Sequence, residues 1–132
     1  MMFDEIHTYC LAKPGAYLSW PFGPDNPVVK VKAPSQENGR IFAGAFLLRA
    51  EPKLTLRCEM MAGEFYRGAY PGSVTRGYHC PPVQQPYFNT VSLDGAVPDD
   101  VIYTMIDQSY AYALKKMPKK YQTELTEASG HS

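Results

Sequence analysis

Apolar residues recur with two different periods along the chain, and the switches between them predict the order of elements. Near the amino terminus Met2, Ile6, Tyr9, Cys10 and Lys13 fall at helical spacing. Asp4 and Glu5 occupy the first turn, where they complement the helix dipole, and Pro14-Gly15 ends the run. Residues 16–27, rich in Pro and Gly, cannot be regular for long. Val28 to Lys32 and Ile41 to Arg49 read as strands joined by the polar segment 34–39, a hairpin with a long loop. From Lys53 to Cys58 the period is two: Leu54, Leu56 and Cys58 face one way, Lys53, Thr55 and Arg57 the other, as in a half-buried antiparallel strand. Met60, Met61, Phe65, Tyr66 and Ala69 return to helical spacing, and Tyr70-Pro71-Gly72 closes that helix. Residues 74–80 and 87–93 read as the fourth and fifth strands, around a loop holding Pro81, Pro82 and Pro86.

The last helix has the sharpest pattern. Pro98 suits a first turn beside Asp99 and Asp100. Ile102, Met105, Ile106, Ser109, Ala113 and Met117 then form one stripe, Lys115 and Lys116 sit in the last turn, and Pro118 stops it. The segment after Tyr121 carries no large apolar residue beyond Leu125 and is expected to fray, which bounds the domain at 1–121 with a tail over 122–132. The expected fold is α+β: a single two-layer domain, helices on an antiparallel sheet, in the order helix, three strands, helix, two strands, helix.

With 132 residues one domain is the default. Thirteen Lys plus Arg balance thirteen Asp plus Glu, which excludes a histone-like or polybasic protein. The longest apolar run, Ile41 to Leu48, has strand length, so no membrane span is expected. The amino terminus shows no secretory pattern. Three cysteines without CxxC spacing, Cys10, Cys58 and Cys80, argue against a disulfide framework or a zinc knuckle. A cytoplasmic chain is the expectation, with a monomer favoured.

Locally the charge is uneven. From Val28 to Cys58 there are six bases, Lys30, Lys32, Arg40, Arg49, Lys53 and Arg57, against two acids, Glu37 and Glu51. Lys30, Lys32 and Arg40 flank the first hairpin, and Lys53 and Arg57 share a strand face. These five are the candidate phosphate contacts for double-stranded DNA, with the loop 35–39 entering a groove. Against this, half-exposed strands ordinarily carry Lys and Arg on the wet face, and the isoelectric point is about 6.8. A second candidate is a ligand cleft for a small molecule or a protein. It would be walled by Trp20 and the turn Pro21, Phe22, Gly23, Pro24 and Asp25, with Tyr78, His79 and Asn89 on adjoining strands. The structural alternative is that this turn packs Trp20 and Phe22 onto the sheet.

No catalytic residue emerges. His79 and Cys80 are neighbours, so a regular strand points them to opposite faces. Cys58 and Cys10 read as buried apolar positions. His7, His79 and His131 are far apart with no HxxxH or HExxH spacing, so neither metal nor cofactor is expected. Of the ten tyrosines, Tyr9, Tyr66, Tyr70, Tyr103, Tyr110 and Tyr112 fall on helices, so the pattern does not place several on one sheet face for base stacking. Lys115, Lys116, Lys119 and Lys120 complement a helix carboxyl end.

Several segments, in order, resemble the MmcQ/YjbR family of small bacterial proteins. They are YCLAKPGA (9–16), WPFGPDNPVVKV (20–31), LTLRCE (54–59), YPGSVTRGYH (70–79), FNTVSLDGAVPDD (88–100) and MIDQSYAYALKKMPKK (105–120). The resemblance implies an α-β(3)-α-β(2)-α fold with the outline of secretion chaperones and frataxin-like proteins. It also implies DNA binding through a double-wing arrangement of sheet and loops, and no cofactor or catalytic mechanism comes with it. The sequence departs from the family pattern in an uncharged loop, Cys80-Pro-Pro-Val-Gln-Gln-Pro86, where members carry a short basic segment. It departs again in Gln108, where the family has His.

Overall fold

The computed structural model describes residues 1–77 and 80–128. The first helix, α1 (Phe3–Leu11), is closed at its start by the Glu5 carboxylate, which accepts from the Met2 N–H at 2.8 Å. After it come β1 (Ala16–Ser19), β2 (Val28–Val31), β3 (Arg40–Leu48) and β4 (Glu51–Arg57), then α2 (Met60–Ala69) and β5 (Val74–Arg76). A short 3-10 turn (Gln85–Tyr87) leads into β6 (Phe88–Ser92), followed by α3 (Asp99–Lys115) and α4 (Lys119–Ala128). All strand pairings are antiparallel, in the order β1-β2-β3-β4-β6-β5. The α+β class, the three long strands and the three expected helices stand.

Two expectations are corrected. Residues 16–19 form a strand of their own, so the sheet has six strands where five are expected. Gly15, at φ +77°, turns the backbone out of α1, its carbonyl accepts from Lys32 N–H at 3.1 Å, and Ala16–Ser19 then pair with Val31–Val28. A Cβ at Gly15 would stand 2.5 Å from the Lys32 carbonyl and 2.6 Å from Leu125, so only glycine allows this approach. The segment expected to fray from 122 is instead part of α4 as far as 128. Leu125 is 4% exposed within the core, and the Glu124 carboxylate accepts from Ser35 N–H at 2.5 Å and Ser35 Oγ at 2.6 Å. The structural unit therefore runs past 121. The fourth strand is shorter than expected, ending at Arg76; Tyr78 and His79 lie outside the described residues.

Directly paired residues of an antiparallel sheet share a face. One face carries Val29, Ala43, Ala45, Leu54, Leu56 and Val91, all buried, and the α3 stripe of Ile102, Met105, Ile106 and Ala113 lies on it as the sequence predicts. The helix α1 adds Ile6 and Cys10 to the same core, and α2 docks beside β5 and β6. Burial pushes the Cys10 thiol up to about 12 and the Cys58 thiol up to about 11, so both are apolar fillers near neutral pH.

One irregularity organises the middle of the sheet. The β2–β3 register shifts between Val29 and Lys30, leaving Phe42 without a cross-strand partner on β2. There β3 parts from β4, and the Ser109 hydroxyl of α3 fills the gap: it accepts from Arg57 N–H at 2.8 Å and donates to the Phe42 carbonyl at 2.5 Å.

The junction of α1 and α3 is polar. Lys13 Nζ and the Tyr9 hydroxyl both donate to Asp107 Oδ1, at 2.6 and 2.7 Å. Burial acts to raise the Asp107 carboxyl, but these two hydrogen bonds outweigh it and hold the group below its ordinary value. A depressed carboxylate stabilises above its unfolded pKa, and that contribution disappears as pH falls through the folded value. We expect Asp107→Asn to flatten the acid limb of stability below about pH 4, read by thermal melts from pH 3 to 6. Because Asp107 is half exposed, the effect should stay under about 1 kcal/mol.

Candidate nucleic-acid interface

The second face of the sheet carries no packed helix, and the register arranges its side chains in three rows across the strands. A middle row is small: Ser19, Val28, Gly44, Thr55, Thr90 and Thr75. On one side of it stands a taller row, Tyr17, Lys30 and Ile41, continued by Arg57 and Phe88. On the other side stand Phe46, Lys53 and Ser92. Tyr17, Val28, Ile41, Phe46 and Phe88 belong neither to the buried core cluster nor to the residues packed against it, which confirms that they form a separate surface. At about 3.4 Å per residue the two tall rows lie about 14 Å apart, and the middle row lies low between them, with Val28 and Thr90 buried.

The charge on this face is one-sided. Glu51, at the hairpin end of β4, is the one carboxylate that the pairings bring to it, 3.7 Å from Lys53 Nζ. Among the described residues no carboxylate lies within ion-pair distance of Lys30, Lys32, Arg40 or Arg57. Lys32 follows β2, its Nζ 5.4 Å from the Tyr17 ring centroid, and the Tyr17 hydroxyl in turn accepts from Gly39 N–H at 3.2 Å. Arg57 lies over Phe88 at 4.9 Å and donates from Nε to the Ile41 carbonyl at 2.5 Å. Burial first, and then the like charge of Arg40, pull its pKa below the usual arginine value.

Of the five basic candidates, the structure thus places Lys30, Lys32, Lys53 and Arg57 on or beside this face. Arg40 starts β3 close enough for its charge to reach Arg57. Lys53 is partly engaged, donating to Ser92 Oγ at 2.8 Å. Arg57 has a structural task, closing the same gap that Ser109 bridges. The loop expected to enter a groove is tied down, because Ser35 is held by Glu124.

The cleft candidates do not come together. Trp20 and Phe22 stand 53% and 67% exposed on the β1–β2 loop, so they are not packed on the sheet either. Pro21 and Asp25 are exposed on that loop. Asn89 is four strands away, about 19 Å at the usual strand spacing. It is fully buried, accepting from Arg67 Nη1 at 2.6 Å and donating to the Gly63 carbonyl at 3.4 Å, which ties β6 to α2. Tyr78 and His79, the remaining cleft candidates, lie outside the described residues.

What the sequence reading missed is the set of rings. Tyr17 falls in a Pro- and Gly-rich segment to which no strand is assigned, and Phe46 in an apolar run with no alternation. Phe88 sits at the edge of a strand far along the chain. Only the register puts them on one face with the lysines. Away from the sheet, Met61 and Phe65 stand exposed one turn apart on α2. No described helix is long and apolar enough to cross a membrane. Among the described residues no three His, Cys, Asp or Glu side chains gather as a metal site would require.

Comparison with known proteins agrees with the fold. A crystal structure of a Deinococcus radiodurans protein, of domain family DUF419, superposes with a TM-score of 0.81 at 28% identity, covering 98% of this chain and 94% of its own. A Pseudomonas syringae protein shares the fold with a TM-score of 0.67 at 17% identity, over 86% of this chain and 99% of that one. The uncharacterized protein YjbR of Escherichia coli K12 is 28% identical over 120 residues, 91% of this chain and 93% of its own length. The sequence model of the YjbR family matches residues 11–112, and the chain belongs to that family.

Proposed function

We propose that this protein binds nucleic acid through the open sheet face, with phosphates held by Lys30, Lys32, Arg40 and Lys53 and no chemistry performed on the ligand. One observation carries this reading. The sheet face without a packed helix presents these cations beside Tyr17 and Phe88, and all but Lys53 lack a carboxylate within ion-pair distance among the described residues. Cations left without acidic partners on a semi-buried surface make an electrostatic site for a polyanion even in a chain of zero net charge. Four of the thirteen acids lie elsewhere, Asp4, Glu5, Asp99 and Asp100 in the first turns of α1 and α3. A binding rather than catalytic role fits the two buried thiols, whose raised pKa values leave little thiolate at neutral pH.

The test is fluorescence anisotropy with labelled 20-nucleotide oligonucleotides, single-stranded and duplex, at 50 and 200 mM salt. Four neutralised phosphates give a loss of about 50-fold between these salts for a single strand. Affinity that ignores salt, or no binding at tens of micromolar protein in 50 mM salt, contradicts the proposal.

A further inference from the structure

We infer that the outer face of α2, with the uncharged segment 81–87 beside it, is a contact surface for a second copy of this chain, paired about a two-fold axis. The inference is independent of the nucleic-acid reading, because α2 lies on the helix-bearing side of the sheet. Where the sequence leaves a monomer as the expectation, this surface argues for a pair.

The helix itself gives the first argument. Its buried side is marked by Gly63, whose carbonyl accepts from Asn89 Nδ2 at 3.4 Å, and a Cβ there would meet Cys58 Sγ at 2.6 Å and the Pro86 carbonyl at 3.4 Å. At about 100° per residue, Met61 and Phe65 fall about 160° round the helix from that side. They stand 77% and 67% exposed, although the Phe65 ring meets Tyr66 edge-on. Gly68 shares the outer face, and a Cβ there would have nothing within 4 Å. Of the two charged side chains in Met60–Ala69, Arg67 turns inward and donates from Nη1 to Asn89 Oδ1 at 2.6 Å, which leaves Glu64 as the outward charge. A helix that is apolar on both sides is one that is covered on both sides.

Area is the second. Half of the large apolar side chains exposed among the described residues gather here: Met60, Met61, Phe65, Val83 and Tyr87. Cys58 N–H donates to the Tyr87 carbonyl at 2.9 Å, which sets Tyr87 at the amino end of α2, and the turn closed by Gln84 N–H on the Pro81 carbonyl carries Val83 just before it. Weighted by exposure, the five amount to about three whole side chains, roughly 600 Å² at about 200 Å² each. That is the upper end of what a typical monomer exposes in one patch. Two such patches face to face remove about 1,200 Å², the area at which specific, stable interfaces begin.

Charge decides what covers the patch. Its rim carries both signs: Glu59 and Glu64 at α2 and Arg76 on the edge strand β5, all exposed and without an ion-pair partner among the described residues. The two carboxylates repel a polyanion. Mixed signs around an apolar centre suit a two-fold contact, in which an acid of each copy meets the base of the other. Thirteen acids balance thirteen bases, so two copies approach without net repulsion. At Gly68 the missing side chain lets two helix backbones come close.

The experiment is sedimentation velocity of the full chain from 5 to 200 μM. The expected result for the wild type is a mass near twice 14.8 kDa at the highest concentration, falling toward that of one chain on dilution. Phe65→Glu and Met61→Glu should each weaken the pair about 30-fold or more, as loss of a central apolar contact predicts. Both should melt close to the wild type, since neither side chain is in the core. The control is Phe22→Glu, equally exposed on the β1–β2 loop, which should leave the pair intact. A wild type that keeps the mass of one chain at 200 μM overturns the inference and gives the face to a different protein. A pair that survives both α2 substitutions, or that only Phe22→Glu dissolves, overturns it by placing the contact elsewhere.

Discussion

Replacing Ser109 by alanine should destabilise the protein by about 2–4 kcal/mol, out of proportion to the one oxygen removed. In a helix interior a serine hydroxyl usually folds back on its own helix. Ser109 instead reaches into the sheet, accepting from Arg57 N–H and donating to the Phe42 carbonyl where β3 and β4 separate. Both backbone groups are shielded by α3, and Ser109 itself is fully buried, so water cannot take over when the hydroxyl is gone. Each orphaned group costs about 1–3 kcal/mol. For a chain of this length the melting temperature should fall by roughly 10 °C. Ser109→Thr keeps the hydroxyl and should lose less. A Ser109→Ala protein melting within a degree or two of the wild type would show that the bridge contributes nothing.

Ser109 also marks the boundary between what the sequence makes legible and what it does not. Its place on the α3 stripe with Ile102, Met105, Ile106 and Ala113 follows from helical spacing, and all five are buried. The strict alternation of β4 is equally readable: Leu54 and Leu56 enter the core while Lys53, Thr55 and Arg57 face the other way. What Ser109 bonds to is hidden, because the bulge at Phe42 lies inside the unbroken apolar run Ile41–Leu48, where no period shows a shifted register. The turn from β3 to β4 is hidden for a related reason. Arg49 and Ala50 both adopt positive φ, 52° and 68°, without the Asn-Gly signature of a two-residue hairpin.

Long-range contacts account for the other differences. The four-residue strand β1, caught between Pro14-Gly15 and Pro21, is a strand only because β2 is there to pair with it. The helix α4 looks too polar to persist, and it is held by Leu125 in the core with Tyr121 packed against it, and by Glu124 on Ser35, 89 residues earlier. The proposed cleft fails on topology, since Trp20 leaves the edge strand while Asn89 sits four strands away. The open face is its counterpart: Tyr17, Lys30, Phe46, Lys53 and Phe88 are scattered through the chain, and no local pattern announces that the sheet will gather them. The lysines were legible as candidates because wet-face bases follow from alternation. The rings between them were not.

If the helix-free sheet face holds a polyanion, double charge reversal at Lys30 and Lys32 must abolish most of the binding. Both lie at the tall row beside Tyr17, neither is ion-paired among the described residues, and neither touches the Ser109 bridge or the core. The variant Lys30→Glu/Lys32→Glu should therefore melt close to the wild type. Losing two phosphate contacts costs about 60-fold in single-strand affinity at 50 mM salt and lowers the salt slope by about 1.4, before the added repulsion of two carboxylates. The expected result is a folded variant whose binding to a labelled oligonucleotide falls by that factor or more, with a shallower salt dependence. A folded variant that binds as tightly as the wild type, with the same slope, would place the site elsewhere on the molecule.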